Sequence, residues 1–393
     1  MSDTQQPPVE PLGLLFPSPG RLEPAPAPNE VWRLPGGIAW IHLAKGHRGL
    51  TRPVLLSDGF ETGPSDLEEL WQGLERGDHP FITELRRRGH DLVLVGYDER
   101  SASLLDNART VREAVLRTIA QRSGSEPLVV GGLSMGGLIT RYALAKLEHE
   151  GIDHQTATYL SIDTPHRGAW VPIGIQKLAH LLTATPALSA QINSPAAREL
   201  LWRHVATVDA EPAEDARRTE FLTALRQVGD WPRVPRLLGV ANGRGDGARS
   251  GVSPGTEALR VTGGWFAGTT LYTQAEGDKQ LVAQLKGRLT EHESRTTGLS
   301  ALDGAPGGTL ESYGLAADRL KATGPIEVSV RKVCFVPTVS AVSIGELDDP
   351  YANVGALGAE RSDLDEFLVA DTDEPHTHMS EAAGTWILDR LPN

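Results

Sequence analysis

The stretch GGLSMGG, residues 131 to 137, sets a serine between Gly132 and Gly136, directly after the apolar run PLVV and directly before LITRYALAKLE. A β-type run entering and an apolar 3.6-residue pattern leaving mean that Ser134 sits on a strand-to-helix turn. A turn that tight strains the serine backbone and lifts its hydroxyl above the strand end, and glycines two before and two after leave room for the crowded chain. The helix start also offers free backbone N–H groups, that of Met135 first, to developing negative charge. The competing readings are a plain glycine turn and a phosphate-cradling loop. The second lacks a Lys-Ser/Thr pair after the glycines and an acidic ribose-binding residue at a suitable offset. Ser134 is therefore read as a nucleophile, which needs a base to act at neutral pH.

The elements around the turn alternate. VWRL, IAWIHLA and PVLLSDGF read as strands, DLEELWQGLERG and HPFITELRRRG as helices, and DLVLVGYD as a strand. NARTVREAVLRTIAQR then leads to the serine turn, and TATYLSID, the turn TPHRGA and PRLLGVAN follow. This order implies a mostly parallel central sheet with helices on both faces, an α/β architecture. Residues 170–232 interrupt it with apolar and amphipathic helical segments, and 243–325, rich in Gly, Thr and Ser, are expected to add antiparallel strands. IEVSVRKVCFVPTVSAV and the helix EAAGTWILDRL are expected to complete the core. Residues 1–30 carry eight prolines and are expected to form a flexible arm before a catalytic domain over 31–393.

A formal net charge of −13 opposes nucleic acid and anionic membranes as partners. The lone Cys334 excludes an intramolecular disulfide and reads as a small buried thiol in KVCFVP. The N-terminus has no basic, then apolar, leader pattern, and no run approaches the ~18 apolar residues of a membrane span, so a soluble cytoplasmic protein is expected, or a secreted one if a leader has been removed.

SDGF, GGLSMGG and DTPHRGA together resemble the lipase/esterase branch of the α/β-hydrolase family. SIDTPHRGAWVPIGIQ, VANGRGDG, LDGAPGG, FVPTVSA and EPHTHMS are similar to a group of lipase-like bacterial hydrolases, many of them secreted, over about residues 54 to 388. The resemblance implies an α/β-hydrolase fold with a base late in the chain, before the last helix. His376 and His378 both stand there, and the group's pattern matches with His376 as the base; solvated loop residues or a weak metal pair are the alternatives. It also places a second oxyanion donor, the N–H of Phe60, in Asp58-Gly59-Phe60. The acid is open, because Val333 stands where many lipases carry an aspartate. Asp163, ending LSID, comes first, Asp303 second and Asp246 third, with others such as Asp365 behind, and any of them could only cap a turn.

Residues 170–232 fall where lipases insert a cap, which would give the acyl site an apolar wall; the alternative is that these helices are core. The expected activity is that of a serine esterase or lipase acting through an acyl-enzyme on Ser134, on a small-molecule ester with a hydrophobic part, without cofactor or metal. An intracellular acyltransferase or cyclase using the same residues is the second reading, and a non-catalytic binding protein the third.

Overall fold

Strands that read as unbroken apolar runs need cover on both faces, and the helices that follow them supply it. In the computed structural model, which describes residues 24–75, 77–182, 186–287 and 289–392, the hairpin β1 (Glu30–Leu34) and β2 (Gly37–His42) leads to β3 (Pro53–Ser57). Helices α1 (Leu67–Glu75) and α2 (Phe81–Arg87) then precede β4 (Asp91–Tyr97), and α3 (Leu104–Gln121) precedes β5 (Leu128–Leu133). Helix α4 (Met135–His149) connects to β6 (Thr156–Ile162). Four helices, α5 (Ile173–Leu181), α6 (Pro186–Ile192), α7 (Pro195–Leu200) and α8 (Ala216–Gln227), intervene before β7 (Arg236–Arg244).

The rest of the chain adds β8 (Glu257–Val261), β9 (Thr270–Tyr272), β10 (Gln280–Lys286), β11 (Glu291–Thr296) and β12 (Gly307–Leu310). After α9 (Ser312–Leu320) come β13 (Ile326–Val328), β14 (Val333–Pro337), α10 (Thr338–Ala341) and α11 (Val354–Leu357). The chain closes with β15 (Glu366–Ala370) and α12 (Glu381–Leu388).

Among the described residues, eight strands form the central sheet in the order β1-β2-β4-β3-β5-β6-β7-β15. β2 is antiparallel to its neighbours, and every pairing from β4 to β15 is parallel. Alternate residues of one strand feed two different cores. Val93, Val95 and Val130 pack with α3, α4 and the helices between β6 and β7, whereas Leu92, Leu94 and Val129 pack with α1, α2 and α12. Full burial of each such side chain stabilises the fold by about 1.5–3 kcal/mol, so a one-residue slip in register would expose a whole face.

β8, β9, β10, β11 and β13 form a second, antiparallel sheet in the order β11-β10-β9-β8-β13. It begins inside the segment expected to carry added strands and runs past residue 325 to Val328. Helix α5 lies tightly on it: a Cβ on Gly174 would come within 2.7 Å of the Val282 carbonyl oxygen. Of the expected last core pieces, VCFVP is fully buried in the core, whereas IEV is only partly buried. IEV joins this second sheet, and VCFVP pairs antiparallel with β12. The eighth central strand is EFLVA, whose five residues are all half-exposed and so carry no buried apolar run to announce it. The arm expected over 1–30 lies outside the described residues up to 23; from there on, the Ala25 N–H donates to Glu68 at 2.8 Å and the Asn29 N–H to Ile41 O at 2.7 Å.

Candidate functional site

The serine turn is built by close backbone approach. Ser134 has φ 51 and ψ −123, a left-handed conformation that a non-glycine residue holds only when its surroundings dictate it. A Cβ on Gly132 would sit 2.3 Å from the Gly136 carbonyl carbon, and one on Gly136 would sit 2.4 Å from the Ser57 carbonyl oxygen. Both glycines are thus required where α4 leaves the sheet against the end of β3. Ser134 N–H donates to Ile162 O at 2.9 Å, which ties the turn to the end of the neighbouring strand β6. Met135 opens α4, so its N–H belongs to those that a helix leaves unpaired. Phe60, in the loop after β3, lines the same pocket as Ser134.

Asp163 follows β6 directly and also has positive φ, 45°. Its Oδ2 lies 2.6 Å from His376 Nδ1, and both side chains are buried. The other oxygen, Oδ1, accepts from the Asn242 N–H at 3.0 Å. Gly308 of β12 presses on this carboxylate so closely that a Cβ there would stand 1.8 Å from Oδ2. The partner of Asp163 therefore receives a carboxylate whose position is set from the strand end, from β7 and from β12.

The His376 loop is bolted down on both sides. His376 N–H donates to Thr309 O at 2.9 Å, and Thr309 N–H returns a bond to Glu374 O at 2.9 Å. Asn242 Nδ2 donates to Glu374 Oε2 at 2.9 Å and to His378 O at 2.7 Å. The Glu374 carboxyl is held above its ordinary value by burial, against the Asn242 hydrogen bond. Thr377, next in the chain, has φ 58, so the turn that presents the imidazole is strained as well. His376 Nε2 is buried without a hydrogen-bond partner among the described residues. The ring stands edge-on to Phe335, centroids 4.8 Å apart, and Phe335 shares a pocket wall with Ser134.

The structure thus brings Ser134, His376 and Asp163 to the carboxyl end of one sheet and leaves the other acid candidates elsewhere. Asp303 is buried, but its carboxylate accepts from Trp170 Nε1 at 2.6 Å, Gln274 N at 2.7 Å and Tyr313 OH at 3.1 Å. No imidazole is among these partners. Asp246 pairs with Arg244 at the surface, and Asp365 accepts from Leu237 N–H at 2.7 Å at the start of β7. His378 is partly exposed, with Nε2 3.7 Å from Asp78. His166 of the TPHRG turn lies in the core between Arg141 and Trp231, where burial, reinforced by Arg141, holds its pKa well below the ordinary value. Cys334 is buried, and burial pushes its thiol well above the ordinary value.

Asp58, one residue before Gly59, is a buried carboxylate whose Oδ1 accepts from the Gly59 N–H at 2.8 Å. Burial raises its pKa, while Arg100, 3.8 Å away, opposes the rise. This carboxylate stiffens the loop that carries Phe60. Asn242, Gly308 and Thr309 went unnoticed as positioning residues, although VANGRGDG and LDGAPGG marked two of them; a contact between segments far apart in sequence leaves no local pattern to read.

Above Ser134 the segments between β6 and β7 help close a narrow apolar pocket. Ala169, Val171, Ile192, Ala197 and Leu200 face Phe60, Pro165 and Phe335 across it. The same helices belong to the large hydrophobic core, so they both roof the pocket and pack as core. Among the described residues, no cluster of three or more His, Cys, Asp and Glu side chains is placed to hold a metal, and no helix is long and apolar enough to cross a membrane.

No family model and no curated protein matches the sequence. Solved structures with partial likeness include the esterase Est22 (12% identity over 38% of this chain and 47% of that one, TM-score 0.29). A bacterial heroin esterase shares 16% identity over 38% of this chain and 47% of its own (TM-score 0.29). The mature lipase BlEst2 of Bacillus licheniformis shares 13% over 52% and 72%, respectively (TM-score 0.33). The chain spans about half the length of the first two. Likenesses this low carry no weight beside the chain's own topology. A largely parallel eight-stranded sheet covered by helices, with a glycine-flanked serine turn between its strand β5 and helix α4, gives this protein the α/β-hydrolase fold.

Proposed function

We propose that this chain is a serine hydrolase of carboxylic esters. Ser134 attacks the ester carbonyl while His376 Nε2 takes its proton, and the N–H groups of Met135 and Phe60 stabilise the oxyanion. Asp163 holds the imidazole in the tautomer that leaves Nε2 free to accept and stabilises the imidazolium that forms. The alcohol leaves with the proton from His376, and water activated by the same nitrogen hydrolyses the acyl-Ser134 ester to free acid. The observation that carries this reading is the buried 2.6 Å contact between His376 Nδ1 and Asp163 Oδ2, with Nε2 of the same ring unpaired among the described residues. The apolar pocket beside Ser134 supports an acyl group of hydrocarbon character.

Labelling with a fluorophosphonate probe, followed by p-nitrophenyl esters of graded acyl length, tests the reading. Labelling and turnover are expected in the parent and absent from Ser134→Ala; a parent that neither labels nor turns over would leave a binding protein in a hydrolase fold. The narrow, wholly apolar pocket also suits transfer of the acyl group to an alcohol or amine with water held out. Competing water against such acceptors and quantifying the products separates the two outcomes of the same acyl-enzyme.

A further inference from the structure

Two walls of the pocket beside Ser134 come from different parts of the chain, Phe60 from the loop after β3 and Ile192 from the last residue of α6. The residues next to them are hydrogen-bonded to each other across this junction. Gln191 Nε2 donates to Glu61 Oε1 at 2.7 Å. Gln191 is only 1% exposed, so its amide cannot trade this bond for bulk water while α6 stays in place. Glu61 Oε1 also accepts from the Thr62 N–H at 2.9 Å, which fixes the carboxylate to the main chain of its own loop. Helix α6 is seven residues long and packs on α5 and α7.

Phe60 and Ile192 both line the pocket that Ser134 lines, so an acyl chain filling it packs against both. Lengthening the chain requires Ile192 to withdraw, and withdrawal of α6 requires the neighbouring hydrogen bond to break. We propose that the Glu61–Gln191 hydrogen bond sets the length of acyl chain this site accepts, by holding Ile192 at a fixed separation from Phe60. The proposal rests on the reading of Ser134 as a nucleophile toward esters. It makes Glu61 and Gln191 determinants of specificity that touch neither the reacting carbonyl nor the proposed base.

The test compares the parent with Glu61→Ala, Gln191→Glu and the exchanged pair Glu61→Gln/Gln191→Glu. Gln191→Glu sets two carboxylates against each other, and the exchanged pair restores an amide donor to a carboxylate with the partners reversed. The readout is the ratio of kcat/KM for p-nitrophenyl octanoate to that for the butyrate, with hydrogen exchange of the α6 amides measured alongside. Both single variants are expected to raise the ratio by about 10-fold, the scale on which a pocket discriminates by chain length, and the exchanged pair to bring it back toward the parent. The α6 amides are expected to exchange about 10-fold faster in the single variants. An unchanged ratio, unchanged α6 exchange, or no recovery in the exchanged pair overturns the proposal. A parent inactive on every ester sinks the hydrolase reading along with it, whereas an active parent whose profile the variants share sinks the specificity proposal alone.

Discussion

Asp163 and Asp303 are both buried carboxylates with well-made hydrogen bonds, and they do different work. Asp163 gives one oxygen to a backbone N–H and the other to an imidazole that has a second nitrogen left over. Asp303 gives both oxygens to partners that are not bases: the indole of Trp170, the phenol of Tyr313 and the Gln274 N–H. The first arrangement passes an electrostatic preference on to the proposed base. The second ends at its partners and staples the segment after β6 to the strands of the second sheet. Burial and hydrogen-bond count therefore do not set the proposed acid apart; the chemistry of its partner does.

The largest contrast should come from the matched substitutions Asp163→Asn and Asp303→Asn. Asp163→Asn is expected to lower kcat by about 10⁴-fold, because the amide favours the wrong imidazole tautomer, with little change in thermal midpoint. Asp303→Asn is expected to cost about 1–3 kcal/mol of stability, read from urea unfolding, and less than about 10-fold in kcat. The Asp303 effect should also depend on pH. Burial holds its folded carboxyl above the ordinary value of 3.8. Its contribution is then fully present below that ordinary value and is lost as pH rises through the folded value. The stability of the parent relative to Asp303→Asn should accordingly decline as pH rises above about 4; a flat or rising difference would show that the three donors outweigh burial.

Next in size is Gly308→Ala. A methyl group 1.8 Å from Asp163 Oδ2 must push either β12 or the carboxylate aside, and either movement opens the contact with His376. A kcat loss of about 10²–10³-fold is expected, with a stability cost of about 1–3 kcal/mol from overpacking. Asn242→Ala should act more gently. It keeps the main-chain N–H on Asp163 and deletes the side-chain bonds to Glu374 and the His378 carbonyl, so the acid stays set while the base loop loosens. A fall in kcat of about 10–100-fold at nearly constant KM is expected; a change confined to KM would move Asn242 from positioning the base to shaping the pocket.

The difference between the two aspartates also marks where the sequence could be read. The serine turn was legible because everything it needs is local: a strand before it, a helix after it, and glycines at the two positions where backbone meets backbone. The parallel sheet was legible through its apolar runs. Asp163 and Asp303 both stood in glycine- or proline-containing turns after apolar residues, so placing Asp163 first rested on the resemblance, and its contact with the imidazole, 213 residues away in the chain, has no local signal. β15 left no signal for a similar reason. VCFVP is fully buried where it pairs with β12, while EFLVA lies at the edge of the central sheet with every residue half-exposed. Local pattern reports burial, not which sheet buries the segment.

The smallest expected effect separates the two histidines of EPHTHMS. His378 donates nothing to the site from its ring: Nε2 faces Asp78 at 3.7 Å on a partly exposed side chain, and the residue's link to the site runs through its carbonyl, which accepts from Asn242. An alanine keeps that carbonyl. His378→Ala should therefore stay within about threefold of the parent in kcat/KM, the range of an ordinary surface substitution, while His376→Ala should lose nearly all turnover. The same pair tests how the loop is held. If His378→Ala lowered kcat by as much as Asn242→Ala, the ring and not the carbonyl would be fixing the turn at Thr377, and the strain stored there would have to be assigned to the exposed side of the loop instead of to Asn242.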